Sequence, residues 1–179
     1  ENKKTFESLN PENNEPWAVV PEASAKDVDK AVRSAQKAFE GEWPKLFPKE
    51  RTKYLKAIAN QLRENAELLG KIETIDTGKL FRETKTQANY IAEYYDYFAG
   101  LADKVEGTVL PIDKPDMQVI TTRIPIGVIA AIIPWNSQML LTAVKLAPAL
   151  AMGNTVVIKS SELAPATMFE FAKLIEKTG

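Results

Sequence analysis

The 179-residue chain contains no cysteine and no histidine. Without cysteine there is no disulfide framework, no thiolate zinc site and no thiol nucleophile. Without histidine there is no imidazole zinc site and no Ser–His nucleophile pair. No loop carries the carboxylate spacing of a Ca2+ or Mg2+ site, so no metal is expected. An excess of either charge is missing too. Lys and Arg total 23 against 24 Asp and Glu, for a net charge of −1, which leaves no footprint for nucleic acid and no solvating acidic tail. Long apolar runs are also lacking. Residues 124–133 and 139–152 are the most apolar stretches, both short of the roughly 20 residues a membrane helix needs, and the second contains Lys145 and Pro148. The start, Glu1-Asn2-Lys3-Lys4, is not followed by the apolar segment of a signal peptide. The expectation is a soluble protein with no membrane and no nucleic-acid partner, and the absence of thiols fits a cytoplasmic one.

What is present is ordinary globular material, 45% hydrophobic and 26% charged. Turn residues cluster at 10–15, between short apolar pieces at 6–9 and 17–20 that suit the arms of a hairpin or a pair of edge strands. Ser24 followed by Asp27 forms a capping-box pattern before a helix whose Val28, Ala31, Val32, Ala35, Ala38 and Phe39 share one face. Gly41 closes it. A second helix is expected over 48–69, ending near Gly70, then a short third segment over 71–76, and a fourth helix over 81–102. Tyr90, Tyr94, Tyr95 and Phe98 of the fourth helix recur with Ile91 and Ala99 at helical spacing, which points to core packing. Asp76-Thr77-Gly78-Lys79 is turn chemistry and receives no catalytic role.

After Gly107 the pattern changes. Residues 108–112 and 117–124 read as two strands around an Asp-Lys-Pro-Asp turn. Two strands alone are marginal in water, so they need a partner sheet, which another subunit could supply. From residue 126 the order becomes β-α-β-α. The run 127–133 reads as a strand buried on both faces of a parallel sheet. A helix over 138–152, a strand over 155–159 and a helix over 167–177 opened by Pro165 follow. Strand, helix and strand in about 33 residues make a βαβ unit.

In an open parallel sheet, ligands bind beyond the carboxyl ends of the strands. Two turns qualify here, Pro134-Trp135-Asn136 and Lys159-Ser160-Ser161-Glu162. An acidic residue shortly after the second strand is where dinucleotide folds hold the adenosine ribose. Lys159 could donate to that ribose and Glu162 accept from it. The glycine fingerprint for a pyrophosphate is absent, and Pro134 lacks the N–H that would cradle a phosphate. Each candidate also has a plain structural reading. Ser161 and Glu162 could cap the next helix, Lys159 could be a solvated strand end, and Asn136 could be a turn residue. A carboxamide in that place can equally donate to an oxyanion. Lys145 could face a functional cavity or snorkel to the surface.

Several segments, in order, resemble the aldehyde dehydrogenase superfamily. They are Ile124-Pro125-Ile126-Gly127-Val128, Ile133-Pro134-Trp135-Asn136, Lys145-Leu146-Ala147-Pro148-Ala149-Leu150, and Gly153-Asn154-Thr155-Val156-Val157-Ile158-Lys159 with Glu162. Asn10-Pro11, Asp27-Val28-Asp29, Ala31-Val32 and Asp76-Thr77-Gly78-Lys79 match its N-terminal pattern. The resemblance spans nearly the whole chain and is most specific from Pro125 to Glu162. It implies an α/β fold in which N-terminal helices join a Rossmann-like parallel βαβ unit, with a two-stranded oligomerisation arm. Residues 1–107 would be the helical part of the cofactor-binding domain, 108–124 the bridging strands, and 125–179 the first βαβα of the NAD(P)-binding fold.

The resemblance also implies roles. Asn136 matches the side-chain donor of an oxyanion hole that steadies a thiohemiacetal. Lys145 matches a lysine linked to proton relay. Lys159 and Glu162 match adenosine-ribose contacts, with Ser161 between them in the cofactor-binding set, and Ile132, Ile133, Pro134 and Trp135 match the wall beside the cofactor. Ser137, Leu141 and Val144 border the aldehyde tunnel. Ser137-Gln138 departs from the Phe-Pro common after Pro-Trp-Asn, which suggests a more polar tunnel mouth. Ser160 replaces a common Pro. Glu162 favours NAD, because a carboxylate repels a 2′-phosphate, although NADP is also admissible. The family's nucleophilic Cys, general-base Glu and Gly-rich loop are expected beyond Gly179. The implied reaction oxidises an aldehyde to a carboxylic acid through a thioester, in a homodimer or homotetramer. An acyl-phosphate or CoA-acylating relative, or a scaffold that kept the fold without the chemistry, is the alternative.

Overall fold

In the computed structural model, which describes residues 3–179, the turn cluster joins β1 (Thr5–Asn10) to β2 (Glu15–Pro21) as an antiparallel hairpin. The side chains of Asn10 and Asn13 accept hydrogen bonds from the amides of Glu12 and Glu15, each at 3.0 Å, which closes the turn locally. Ser24 caps α1 (Ala25–Glu40). Its hydroxyl accepts from the Asp27 amide, and the Asp27 carboxylate accepts from the Ser24 amide at 2.9 Å. The expected apolar face of α1 leans on the strand of residues 155–159, yet no residue of the helix is buried, and Val28 and Val32 are exposed.

The second and third helices divide differently from the sequence expectation. α2 (Pro48–Glu64) stops at Asn65, whose φ of −110° and ψ of 16° leave the helical region, and α3 (Ala66–Thr77) follows at once. Gly70 is therefore inside α3 and ends nothing. Its missing Cβ lets α3 meet α4 (Phe81–Leu101) closely. A Cβ there would stand 2.8 Å from the Lys85 amide nitrogen, and Thr84 Oγ1 donates to the Gly70 carbonyl at 2.8 Å. The true stop is Gly78, in the left-handed region at φ 75°, with its amide bonded to Thr74 O.

The core gathers Leu55, Ile58, Leu62, Leu69, Ile91 and Tyr95 with Met139, Leu146, Phe171 and Leu174, so the N-terminal helices and the βαβ region share one apolar centre. Burying each large aliphatic side chain stabilises by about 1.5–3 kcal/mol. The core reading of the α4 aromatics holds for Tyr95 and, in part, for Tyr94 and Phe98. Tyr90 faces outward instead, as does the neighbouring Tyr97 outside that set.

The strands expected over 108–112 and 117–124 pair only as β3 (Val109–Leu110) and β4 (Val119–Ile120), an antiparallel ribbon whose residues are mostly exposed. One further bond, from the Thr121 amide to Thr108 O at 2.8 Å, continues the ladder past these pairs, and a two-stranded ribbon this short is marginal on its own. β5 (Val128–Ile132) and β6 (Thr155–Lys159) are parallel, with Val128 opposite Thr155 and Ile132 opposite Lys159. α5 (Gln138–Ala151) joins them and α6 (Ala166–Glu176) follows. Burial of β5 on both faces is not met among the described residues. Ala131 is covered, but Ile132 is 72% exposed, because a two-stranded sheet lacks the neighbours that would cover it. Asn154 fixes where the sheet begins. Its Oδ1 accepts from the amides of Ile126 and Gly127 at 2.7 and 3.1 Å, while its carbonyl accepts from the Trp43 indole at 2.9 Å. No helix among the described residues is long and apolar enough to cross a membrane.

Gly70→Ala separates local propensity from packing. Alanine is the better helix former by about 0.8–1.0 kcal/mol, but the Lys85 backbone occupies the space its methyl needs, and overpacking costs about 1–3 kcal/mol. Chemical denaturation should show a net loss of stability. A gain would mean that α3 and α4 do not approach this closely.

Candidate functional site

β5 and β6 end side by side, and both candidate turns leave from their carboxyl ends. The Ile133 amide donates to Lys159 O at 2.9 Å, extending the ladder one step past β5. Ile133 is buried beneath the turn, while Ile132 and Pro134 are exposed above it. Pro134 is extended, at φ −77° and ψ 167°, and Trp135–Ser137 form a single 3-10 turn that runs straight into α5. This turn holds the Asn136 side chain in the open beside the half-exposed Trp135. Further along α5, Leu141, Val144 and Lys145 occupy one outward face at i, i+3 and i+4, with Lys145 exposed.

At the end of β6, Lys159 Nζ donates to Glu162 Oε2 at 2.8 Å, and both side chains are more than half exposed. That bond from Lys159 holds the Glu162 carboxyl below its ordinary range. Ser161 is buried, with Oγ accepting from the Leu163 amide at 3.2 Å. It braces the loop and does not cap α6, whose N-cap is Pro165. The strand ends thus bring Ile132, Trp135, Asn136, Lys159 and Glu162 to one edge of the fold, while Ser161 and Ile133 support them from below.

Four further polar residues support these turns; the sequence marks Asp76 and Lys79 only as turn residues and Gln138 only as a departure beside Ser137, and gives Glu73 no role. Gln138 is 1% exposed, and its Oε1 accepts from the Ser161 amide at 3.3 Å. It ties the two turns together beneath the surface, so of the Ser137-Gln138 pair only Ser137 can add polarity above. Asp76 is 2% exposed. It accepts from Ser8 Oγ at 2.7 Å, from Trp17 Nε1 at 3.2 Å and from the Ala166 amide at 2.7 Å. Glu73, one turn earlier, is 1% exposed, with Oε1 3.2 Å from Lys79 Nζ. Lys79 Nζ also donates to Ser137 Oγ at 2.6 Å. The 76–79 segment is the expected turn, but two of its residues reach into the fold. The signal lay in spacing. Ala66, Leu69, Gly70, Glu73 and Asp76 recur at three- and four-residue steps, which places two carboxylates on an apolar stripe.

Burial pushes the Glu73 carboxyl up from its ordinary value. Lys79 pulls it back down, and the nearby Asp76 raises it further. Asp76 is also pushed up by burial, with the bonds from Ser8, Ala166 and Trp17 opposing. Neither carboxylate is a cheap way to fill a stripe that leucine could fill, since burying charge without full compensation is costly.

The family model described as aldehyde dehydrogenase family matches residues 1–179. Similar curated proteins include (Z)-2-((N-methylformamido)methylene)-5-hydroxybutyrolactone dehydrogenase of Acinetobacter baylyi, 53% identical over 97% of this chain and 36% of that protein. Betaine aldehyde dehydrogenase of Bacillus subtilis is 42% identical over 96% of this chain and 35% of that protein. Among solved structures, betaine aldehyde dehydrogenase from Staphylococcus aureus in complex with NAD+ superposes with a TM-score of 0.95 at 38% identity, covering 99% of this chain and 36% of that one. The chain spans about a third of the length of the curated relatives it matches. The architecture expected from the sequence is thus the architecture these solved structures share.

Glu73→Gln tests the electrostatics. A carboxyl raised in the fold binds its proton more tightly there than in the unfolded chain. Its stabilising contribution is full below the unfolded value of 4.5 and is lost as pH rises through the folded value. Thermal melts from about pH 4 to about pH 8 should therefore shift in favour of Glu73→Gln, relative to the parent, as pH rises. A difference that is flat or moves the other way would place Glu73 in a solvated setting.

Proposed function

Because this chain belongs to the aldehyde dehydrogenase family, we propose that it contributes an oxyanion donor and part of the cofactor site to an enzyme that oxidises an aldehyde to a carboxylic acid with NAD+. One observation carries the reading. The 135–137 turn and the 159–162 turn emerge together from the carboxyl ends of two parallel strands, with Ile132 directly opposite Lys159. That edge is where open α/β sheets hold ligands.

The exposed residues fit a dinucleotide. Lys159 offers N–H donors and Glu162 acceptor oxygens within 2.8 Å of each other, the complementary pair a ribose diol needs. Ile132 and Trp135 provide apolar surface beside them. When bound, NAD+ supplies the hydride acceptor. Asn136 donates its carboxamide N–H to the aldehyde oxygen as that oxygen gains negative charge. Such a donor is worth about 10²–10³ in rate. Lys145, on the outward face of α5 with Leu141 and Val144, is the residue we assign to moving a proton near the aldehyde. Leu141, Val144 and Ser137 border its path. The nucleophile implied for this chemistry is a cysteine, and this chain has none.

In the same reading residues 1–107 and 125–179 belong to the cofactor-binding domain. Residues 108–124 form the arm through which subunits join as a homodimer or homotetramer. The ribbon supports this, because Val109, Leu110 and Ile120 are exposed on two strands too short to stand alone.

The test is NAD+ binding to the purified chain, followed by ligand-detected NMR so that weak association is visible. Binding should weaken by at least about tenfold when Lys159 and Glu162 are both replaced by alanine, since even one bond to a charged group contributes about 1.5–3 kcal/mol. NADP+ should bind less tightly than NAD+. Unchanged binding in the double variant would remove Lys159 and Glu162 from the cofactor site. No aldehyde-dependent NADH should form with the chain alone.

A further inference from the structure

We propose that Lys79 is a positioning residue for the 135–137 turn, held in place by the buried Glu73 and acting through Ser137. The inference rests on the reading of Asn136 as a donor to substrate, since it concerns what fixes that side chain. Three observations converge. Lys79 Nζ donates to Ser137 Oγ at 2.6 Å, across 58 residues of sequence, and Ser137 is the immediate neighbour of Asn136 in the same 3-10 turn. On its other side Lys79 Nζ is 3.2 Å from Glu73 Oε1, and Glu73 is buried to 1% exposure. The second carboxylate oxygen of Glu73 is buried without a hydrogen-bond partner.

An arrangement built only for stability would not take this form. A carboxylate with one unsatisfied oxygen on the apolar stripe of α3 carries a desolvation cost that an aliphatic residue would avoid. What the carboxylate achieves is directional. Lys79 follows the left-handed Gly78, so the chain turns back sharply at the end of α3 and sends the ammonium toward Ser137. A lysine free to rotate would spend its donors on water. One carboxylate oxygen on a rigid helix restricts it, and a second of its three donors then grips the hydroxyl. The order is buried anchor, cation, hydroxyl, turn.

The bland alternative is that Lys79 only neutralises Glu73 and that its contact with Ser137 is incidental. Ser137→Ala distinguishes the two, because it leaves the Glu73–Lys79 pair intact and disturbs no buried charge. Amide hydrogen exchange is measured on the full 179-residue chain without ligand, on the parent, Ser137→Ala, Ser137→Thr and Lys79→Met. The amides of residues 135–138 should exchange about tenfold faster in Ser137→Ala, the change expected for losing one bond to a charged group. Core amides such as that of Leu62 should keep their rates. Ser137→Thr, which retains the hydroxyl, should return the 135–138 rates to within about threefold of the parent. Lys79→Met should match Ser137→Ala at the turn if it folds, and Ser137→Ala decides the matter if it does not. Rates within about twofold of the parent in Ser137→Ala would overturn the proposal, as would Ser137→Thr behaving like Ser137→Ala. Because no cofactor is present, failure here leaves the NAD+ result untouched, and failure of NAD+ binding leaves this one interpretable.

Discussion

The arrangement turns on a buried carboxylate. Asp76, at the end of α3, accepts from a hydroxyl on β1, an indole on β2 and a backbone amide at the start of α6. These partners come from three parts of the chain, 68, 59 and 90 residues away. A single acidic side chain can do this because a carboxylate has several acceptor positions and bonds to charged acceptors are among the stronger ones. α6 has no side-chain cap of its own. One of its open N-terminal amides is satisfied by Asp76, so the start of α6 and the loop leading to it are held against α3. Substituting Asp76 would release the hairpin and the loop together.

The same design recurs at both turns that leave the carboxyl ends of β5 and β6. An exposed segment able to contact a ligand rests on a buried polar group from a different element. Asp76 holds the exit of the 159–165 loop, and Gln138 links the start of α5 to the Ser161 amide. Lys79 reaches Ser137 from the end of α3. The exposed residues can therefore stay available while their backbones are restrained. This is how loops on a rigid scaffold come to carry function. The cost is visible in the unsatisfied buried atoms, Glu73 Oε2 and Gln138 Nε2.

Much of this was legible in the chain, and the failures have physical reasons. The hairpin turn and the Ser24–Asp27 cap depend on contacts within a few residues, and the βαβ order follows from apolar runs separated by turn residues, so each is legible in the chain. Strand 155–159 was bounded correctly because a β-branched run ends at Lys159 after a Gly-Asn turn. The break at Asn65 was hidden because Ile58, Leu62, Ala66 and Leu69 continue the apolar spacing straight across it. Gly70 looked like a stop, since glycine commonly ends helices, but its role is set by a neighbour fifteen residues on, Lys85. Coverage of β5 was overestimated because an apolar run shows how much burial a strand can take, whereas the structure shows how much these neighbours give it. Asp76 and Lys79 read only as turn residues, Gln138 only as a departure from a family pattern and Glu73 not at all, since the partners that give Asp76, Lys79 and Gln138 their roles lie 23 to 90 residues away and Glu73 matters only through Lys79.

Buried polar anchors, and not the turns' own propensities, hold the edge at which β5 and β6 end. Site-resolved amide hydrogen exchange on the unmodified chain tests it most directly. The Ala166 amide, bonded to Asp76, and the Ser161 amide, bonded to Gln138, should open nearly as rarely as the core of α2 and α4, although both belong to loop or helix-start positions. If instead those two amides exchange as fast as the exposed 109–120 ribbon, Asp76 and Gln138 do not hold this edge.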